Sequence, residues 1–291
     1  MNKPVVSIVI ITYSHEKYIE EAINGVLIQN CNFEIELIIA NDCSPDKTDL
    51  IIKNIIKTNE KARKIIKYFK QDKNIGMMPN FIYAMEQCKG KYIALCEGDD
   101  YWTNPLKLQK QVDFLEANKD FVMCFHQVNS LFKNNKISIN TDTFSENNEA
   151  TFTIENLAQR NFISTPSVVF RNNIVKFPDW YLISPVGDYV LWMLLSDYGK
   201  IKYLPNNMAV YRVGVGTWSR QNTITINEKW IKVLKLLEAH FTNNAIVLKS
   251  LQNNRANIEL YIANHYRNKK FLYRVKNELA YLINNYVIKK R

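Results

Sequence analysis

Residues 92–102 read YIALCEGDDYW. The run 92–96 is short, apolar and bounded by polar residues, the pattern of a strand buried on both faces. It empties into Glu97-Gly98-Asp99-Asp100, three carboxylates in four residues. Carboxylates this close repel one another and are comfortable only when fully solvated or beside a cation. In isolation such a cluster is a solvated acidic turn. At the end of a buried strand it becomes a candidate ligand set for a hard divalent ion, which is commonly bound by one or two carboxylates together with a phosphate.

The same strand-then-polar-turn unit recurs on the N-terminal side. The run 5–12 (VVSIVIIT) stops at Tyr13-Ser14-His15, and Ile19, Ala22, Ile23, Val26 and Leu27 then mark one face of a helix. The run 35–40 (IELIIA) ends in Asn41-Asp42-Cys43-Ser44-Pro45-Asp46, followed by a helix carrying Leu50, Ile51, Ile52, Ile55 and Ile56. A third short strand, 65–69, precedes the loop Asn74-Ile75-Gly76 and a helix opening at Pro79. Beyond the acidic turn, Pro105 opens a helix with Leu106, Leu108, Val112 and Leu115, and 121–128 reads as a fifth strand. This alternation predicts an α/β fold with a parallel sheet and ligands at the carboxyl ends of its strands. The turns at Tyr13, Asp42, Asn74 and Glu97–Asp100 should therefore converge on one sheet edge.

After residue 128 the rhythm breaks. Residues 129–150 are expected to be a mobile polar insertion. A helix over 153–160, a strand over 167–171, a helix near 187–198 and a strand over 208–213 follow, and the chain reads as helical from Asn227. The expected division is 1–225 and a helical extension, 226–291.

The chain has 291 residues and a net charge of +10. Nearly all of the excess lies in 226–291, with 13 Lys and Arg against 4 Asp and Glu. Its 47% apolar and 12% aromatic residues exclude bulk disorder, and its 8 Gly and 8 Pro exclude a collagen-like chain. The five cysteines (Cys31, Cys43, Cys88, Cys96, Cys124) have neither disulfide-framework nor zinc spacing, so a reducing compartment is expected. Pro4 to Thr12 is too short for a secretory leader, and no apolar run is long enough for a transmembrane helix. The expected location is cytoplasmic.

The order and spacing of these motifs resemble family 2 glycosyltransferases. The matching pieces are Thr12-Tyr13, Asn41 to Asp46, Asn74-Ile75-Gly76, Glu97-Gly98-Asp99-Asp100-Tyr101-Trp102, Gly187-Asp188-Tyr189 and Tyr211-Arg212 before Trp218-Ser219, spanning roughly 4–220. The resemblance implies a GT-A fold, a Rossmann-like, mostly parallel sheet flanked by helices. It also implies a nucleotide-sugar donor, UDP-linked, and a divalent metal, Mn2+ or Mg2+. The reaction would be inverting hexosyl or N-acetylhexosaminyl transfer to a saccharide or lipid-linked saccharide in bacterial surface-glycan synthesis. The competing reading is a nucleotide-sugar or glycan-binding module without catalysis. Nucleotidyl transfer would need a Gly-rich basic loop after the first strand, where Tyr13-Ser14-His15-Glu16 stands instead.

By the same resemblance, Tyr13 packs on the donor base or else plugs the strand–helix corner. Asp42 accepts from the base N–H or caps its own turn. Thr12 and Gly98 belong to the donor-binding motifs, and Glu97 faces the ribose. Asp99 ligates the metal, and Asp100 assists it or braces the loop. Asp188 is the base that deprotonates the acceptor, its ionised form favoured by a helix N-terminus, or an ordinary cap. Trp102 and Trp218 are sugar-facing platforms or core residues. Arg212 and Arg220 are candidates for the diphosphate. Two departures stand out: Val213-Gly214-Val215-Gly216 replaces a segment that often carries a metal-binding histidine, and Met77-Met78-Pro79-Asn80 lacks a frequent arginine, for which Lys73 beside Asn74 is the candidate substitute.

The basic extension, with Tyr261, Tyr266, Phe271, Tyr273, Tyr281 and Tyr286 among its cations, suits an anionic membrane surface at the inner face of the cell membrane. A solvated cap packed on the catalytic domain is the alternative. Nucleic acid is not an expected partner, because no recognised binding module is present.

Overall fold

The computed structural model describes residues 3–139, 149–216 and 218–289, without the side chains of 139 and 268–289. Residues 140–148 of the expected 129–150 insertion, and the side chains of the extension's aromatics beyond Tyr266, lie outside that description. The described ends of the insertion are strand rather than a mobile segment, with Leu131 closing one strand, Ile137–Ile139 pairing back on it and Ala150 opening another. Two compact units divide the chain, Met1–Gln221 and Asn222–Arg291.

The first unit begins with β1 (Val6–Thr12), α1 (Ile19–Leu27), β2 (Ile35–Asn41), α2 (Thr48–Thr58), α3 (Glu60–Ile65), β3 (Ile66–Lys70), α4 (Met77–Glu86) and β4 (Tyr92–Glu97). The four strands lie in the order β3-β2-β1-β4, all parallel. Their registers bring the carboxyl ends nearly level, with Thr12 opposite Asn41 and Ile11 opposite Glu97. Level strand ends make the following polar turns neighbours, which is the convergence the pattern predicts.

The rest of the unit comprises β5 (Tyr101–Trp102), α5 (Lys107–Ala117), β6 (Phe121–Leu131), β7 (Ile137–Ile139), β8 (Ala150–Phe152), α6 (Ile154–Gln159), a 3₁₀ turn at Thr165–Ser167, β9 (Val169–Arg171), a 3₁₀ turn at Asp179–Ile183, α7 (Asp188–Ser196) and β10 (Lys200–Arg212). The sheet continues β4-β9-β6-β10-β5. Here pairing is mixed: β9 is antiparallel to β4 and β6, whereas β6 and β10 are parallel. The expected strand 208–213 is the second half of the longer β10. Pro205-Asn206-Asn207 conceals its first half by breaking the apolar pattern, and the register shifts between Leu204 and Ala209.

One main core cluster joins Ile8 and Ile10 of β1, Ile19 and Ile23 of α1, Leu108 and Val112 of α5, and Trp102. Gly25 lets α1 approach β5 closely, because a Cβ there would lie 2.7 Å from the Trp102 amide nitrogen. Lys107 is wholly buried in this region, its ammonium 4.1 Å from the centre of the Trp102 ring and bonded to Gln111 Oε1 at 2.8 Å.

The second unit contains α8 (Thr223–His240) and α9 (Ala245–Lys289). Asn222 caps α8 by accepting the Thr225 N–H at 2.9 Å. Among its described side chains, Val233, Leu234, Leu237, Phe241, Val247 and Leu251 are buried, and Arg255 bonds both Glu238 and Glu259. Among the described residues, no helix is long and apolar enough to cross a membrane.

Candidate functional site

The turns after β1 and β2 are built as a pair. Asp42 N–H donates to Thr12 O at 3.0 Å, Ser14 N–H to Ser44 Oγ at 3.0 Å and His15 N–H to Thr48 Oγ1 at 3.0 Å. Ser14 and Cys43 adopt left-handed backbone conformations, φ 59° and 57°, at these two strand ends. Such φ values in residues other than glycine persist where surrounding bonds hold them, as the Ser44 and Asn41 network does here. The Asp42 carboxylate takes the Ile75 N–H at 2.7 Å and the Gly76 N–H at 2.9 Å, pulling the 74–76 loop against both turns.

A cavity of about 330 Å³ opens where these turns meet. Its walls include Thr12, Tyr13, His15, Asp42, Asn74, Glu97 and Asp99, joined from the end of β10 and beyond by Tyr211, Gly216, Trp218 and Ser219. Among the described lining residues there is no Lys or Arg. Among the described lining residues, His15 is the one side chain able to carry positive charge. Its Nδ1 lies 3.2 Å from Thr12 Oγ1, and it packs against Gly98, where a Cβ would come within 2.7 Å of that nitrogen. Burial lowers its pKa, against the opposing charges of Asp99 and Asp46.

Glu97, Asp99 and Asp100 can each bring one carboxylate oxygen within 4.8 Å of the others. Burial, with the charges of Asp99 and Asp188, pushes Glu97 up to about 8. Burial and the same repulsion push Asp100 well above the carboxylate range, partly offset by Arg212. Asp100 Oδ1 accepts the Arg212 N–H at 2.8 Å, while its buried Oδ2 has no hydrogen-bond partner. An orphan oxygen beside two neighbouring carboxylates fits a hard divalent cation, which accepts oxygen ligands and reverses the sign of the local field.

Asp188 begins α7. Its Oδ1 accepts the Tyr189 N–H at 2.6 Å and its Oδ2 accepts the Thr165 hydroxyl at 2.8 Å. Burial raises its pKa above the ordinary value, and these two bonds oppose the rise. It is not among the cavity-lining residues, but its charge reaches Glu97, Tyr181 and Tyr211.

The profile of Glycosyl transferase family 2 matches residues 7–175. The chain belongs to glycosyl transferase family 2. An uncharacterized Mycobacterium tuberculosis protein is 37% identical over 209 residues, covering 71% of this chain and 58% of that protein. The chain thus spans somewhat more than half the length of this curated relative. The putative teichuronic acid biosynthesis glycosyltransferase TuaG of Bacillus subtilis is 33% identical over 113 residues, 39% of this chain and 42% of TuaG. Among solved structures, S. aureus TarS in complex with UDP superposes with a TM-score of 0.62 at 19% identity, covering 87% of this chain and 70% of that one. The mannosyltransferase PcManGT from Pyrobaculum calidifontis, in complex with GDP-Man and Mn2+, gives 0.56 at 13% identity, covering 94% and 81%. The fold of this family 2 chain is the GT-A fold.

Within this family 2 chain the structure gathers Thr12, Tyr13, Asp42, Asn74, Glu97, Asp99 and Trp218 at one cavity. Gly98 supports that wall without lining it, and Asp100 is buried behind it. Two expectations are corrected. Trp102 is not a sugar platform: it is 2% exposed, and its Nε1–H donates to Pro166 O at 2.9 Å. Arg212 does not face a diphosphate. Its buried guanidinium donates to Asp99 O at 2.5 Å and pairs with Glu21, flanked by the rings of Tyr18 and Tyr101. Lys73 and Arg220 are exposed and outside the cavity lining. Thr165, which holds Asp188, escaped sequence reading. Its visible signal is the turn-forming Ser164-Thr165-Pro166-Ser167, which carries no sign of what the hydroxyl meets.

Proposed function

We propose that this chain is an inverting glycosyltransferase that moves a sugar from a UDP-linked donor to a saccharide or lipid-linked saccharide during surface-glycan synthesis. The observation that carries this reading is the convergence of Tyr13, Asp42, Glu97 and Asp99 on one cavity, with Asp188 close enough to influence Glu97. The cavity's carboxylates, and the absence of Lys or Arg among its described lining residues, suit a donor whose diphosphate is neutralised by a cation rather than by basic side chains. The likeness to TuaG, a putative teichuronic acid biosynthesis glycosyltransferase, supports the surface-glycan setting, and the UDP complex of TarS supports the donor class.

In this reading Tyr13 stacks on the base. Asp42, whose oxygens each hold one backbone N–H, offers a remaining lone pair to a base N–H, beside Asn74. Glu97 faces the ribose and Trp218 covers the sugar. Asp99 and Asp100 would hold Mn2+ or Mg2+, which when bound offsets the charge of the departing diphosphate. The acceptor oxygen bonds to the anomeric carbon from the face opposite the nucleotide, and Asp188 takes the hydroxyl proton. The bond from that carbon to the diphosphate oxygen breaks, and its electron pair leaves with the nucleoside diphosphate. His15, on the Asp99 side of the cavity, is suited to a phosphate oxygen.

The extension 226–291 completes the proposal as a peripheral anchor on the inner membrane face, supported by its 13 cations against 4 acids and by the exposed Leu260, Tyr261 and Tyr266. The full chain should then sediment with phosphatidylglycerol vesicles at low salt and leave them at high salt. Failure to sediment removes the anchor.

The donor site is tested by thermal shifts with UDP, dTDP, GDP and CMP, each with and without Mn2+. A selective, Mn2+-dependent rise with UDP is expected. No shift with any nucleotide would overturn the donor-site reading.

A further inference from the structure

Asp188 is held by two bonds of different kinds. The bond from the Tyr189 N–H is local, because Tyr189 is the next residue in the chain. The bond from Thr165, 23 residues away, ties the carboxylate to another part of the fold.

That part of the fold is anchored. Thr165 opens the 3₁₀ turn Thr165–Ser167 and is itself buried. Trp102 Nε1–H donates to Pro166 O at 2.9 Å, and Gln111 Nε2–H donates to Ser167 O at 2.9 Å. Ser167 Oγ closes the turn on Ser164 O at 2.6 Å. Trp102 and Gln111 are core residues, so the turn moves only with the core. Trp102 also stands two residues after Asp100. A continuous path therefore runs from the acidic cluster through Trp102, Pro166 and Thr165 to Asp188.

We propose that Thr165 is a positioning residue, whose hydroxyl fixes the orientation of the Asp188 carboxylate relative to the acidic cluster. The inference rests on Asp188 acting as the base. The terminal torsion of an aspartate is broad and roughly two-fold, so a carboxylate held only at Oδ1 can still tilt. The second bond, from a hydroxyl to an ionised oxygen, is charge-assisted and directional. It occupies one lone pair of Oδ2 and confines proton acceptance to the lone pairs left over. A tilt of the reacting oxygen by a fraction of an ångström matters, because misplacement by about 1 Å can cost on the order of 100-fold in rate. Trp102 thereby receives a structural purpose in place of the sugar contact it cannot make.

The test uses the full chain with Mn2+, measuring UDP release from UDP-glucose and UDP-N-acetylglucosamine with water as acceptor, and UDP affinity by calorimetry. Thr165→Val keeps the shape and removes the hydroxyl. It should lower kcat by about 10- to 100-fold while KM and UDP affinity stay at wild-type values, and Thr165→Ser should restore kcat to within about 3-fold. Wild-type kcat in Thr165→Val overturns the proposal, as does a loss of UDP affinity that matches the loss of kcat. Asp188→Asn separates the two readings. If it is inactive while Thr165→Val is fully active, only the positioning proposal fails. If Asp188→Asn turns over normally, the base reading itself fails.

Discussion

The carboxylate of Asp42 reaches across the sheet edge to the backbone of Gly76, accepting its N–H at 2.9 Å with one oxygen while the other holds Ile75 at 2.7 Å. Gly76 has φ 93° and sits directly before α4, so this contact shapes the loop that presents Asn74, Gly76 and Met77 to the cavity. Both carboxylate oxygens are needed. Asp42→Asn leaves an amide NH2 that cannot accept, stranding one N–H. We expect a loss of about 1–3 kcal/mol in urea unfolding and a weaker thermal shift with UDP. Unchanged stability would mean that the loop is held by other contacts.

Gly98 offers a second test of how the site is packed. A Cβ there would lie 2.7 Å from both Thr12 Oγ1 and His15 Nδ1, so Gly98→Ala must displace one of two cavity walls. The expected cost is about 1–3 kcal/mol of stability. Nucleotide affinity should fall further than the stability loss alone explains, as calorimetry at a temperature where the variant is fully folded would show.

The acidic cluster has a pH signature in the absence of metal. Glu97 is raised to about 8, so the native state binds its proton more tightly than the unfolded chain does. Its stabilising contribution is full below the unfolded carboxylate value and is lost as pH rises through about 8. In EDTA, the urea midpoint should therefore fall between pH 5 and pH 8. Asp99→Asn removes one of the charges that raise Glu97 and should flatten that fall. The same substitution should abolish stabilisation by Mn2+. An Asp99→Asn protein still stabilised by Mn2+ would place the ion elsewhere.

Lys107 makes the opposite prediction. Burial lowers it to about 7, so between pH 7 and its unfolded value the unfolded chain holds the extra proton and stability rises with pH. Below pH 7 the folded chain carries a desolvated ammonium. Lys107→Met should be stabilising at pH 6, by about 1–4 kcal/mol, with the gain shrinking towards pH 9. Differential scanning calorimetry at the two pH values measures this directly. A destabilised Met variant at pH 6 would show that the bond to Gln111 and the contact with Trp102 outweigh the burial cost.

Legibility in the sequence followed interaction range. The strands at 5–12, 35–40, 65–69 and 92–96 could be read because a strand buried on both faces needs an unbroken apolar run, and this requirement is local. Their polar turns announced the cavity for the same reason: parallel strands joined by helices put every carboxyl end on one side. The later strands were harder. β5 has two residues, and the first half of β10 is cut off from the legible run over 208–213 by Pro205 and two asparagines, so neither carries a run that marks it.

Composition and periodicity by themselves determined an α/β sheet, the edge at which its ligands gather and the residue types offered there. Tertiary structure alone decided which of those residues face the cavity. A tryptophan and an arginine look alike in sequence whether they meet a ligand or brace a loop. Trp102 was drawn into the core by Pro166 O, and Arg212 was turned inward by Asp99 O and Glu21. Thr165 acquired its place beside Asp188 in the same way, through contacts between residues far apart in the chain. Those contacts exist only after packing has chosen which polar groups must satisfy one another away from water.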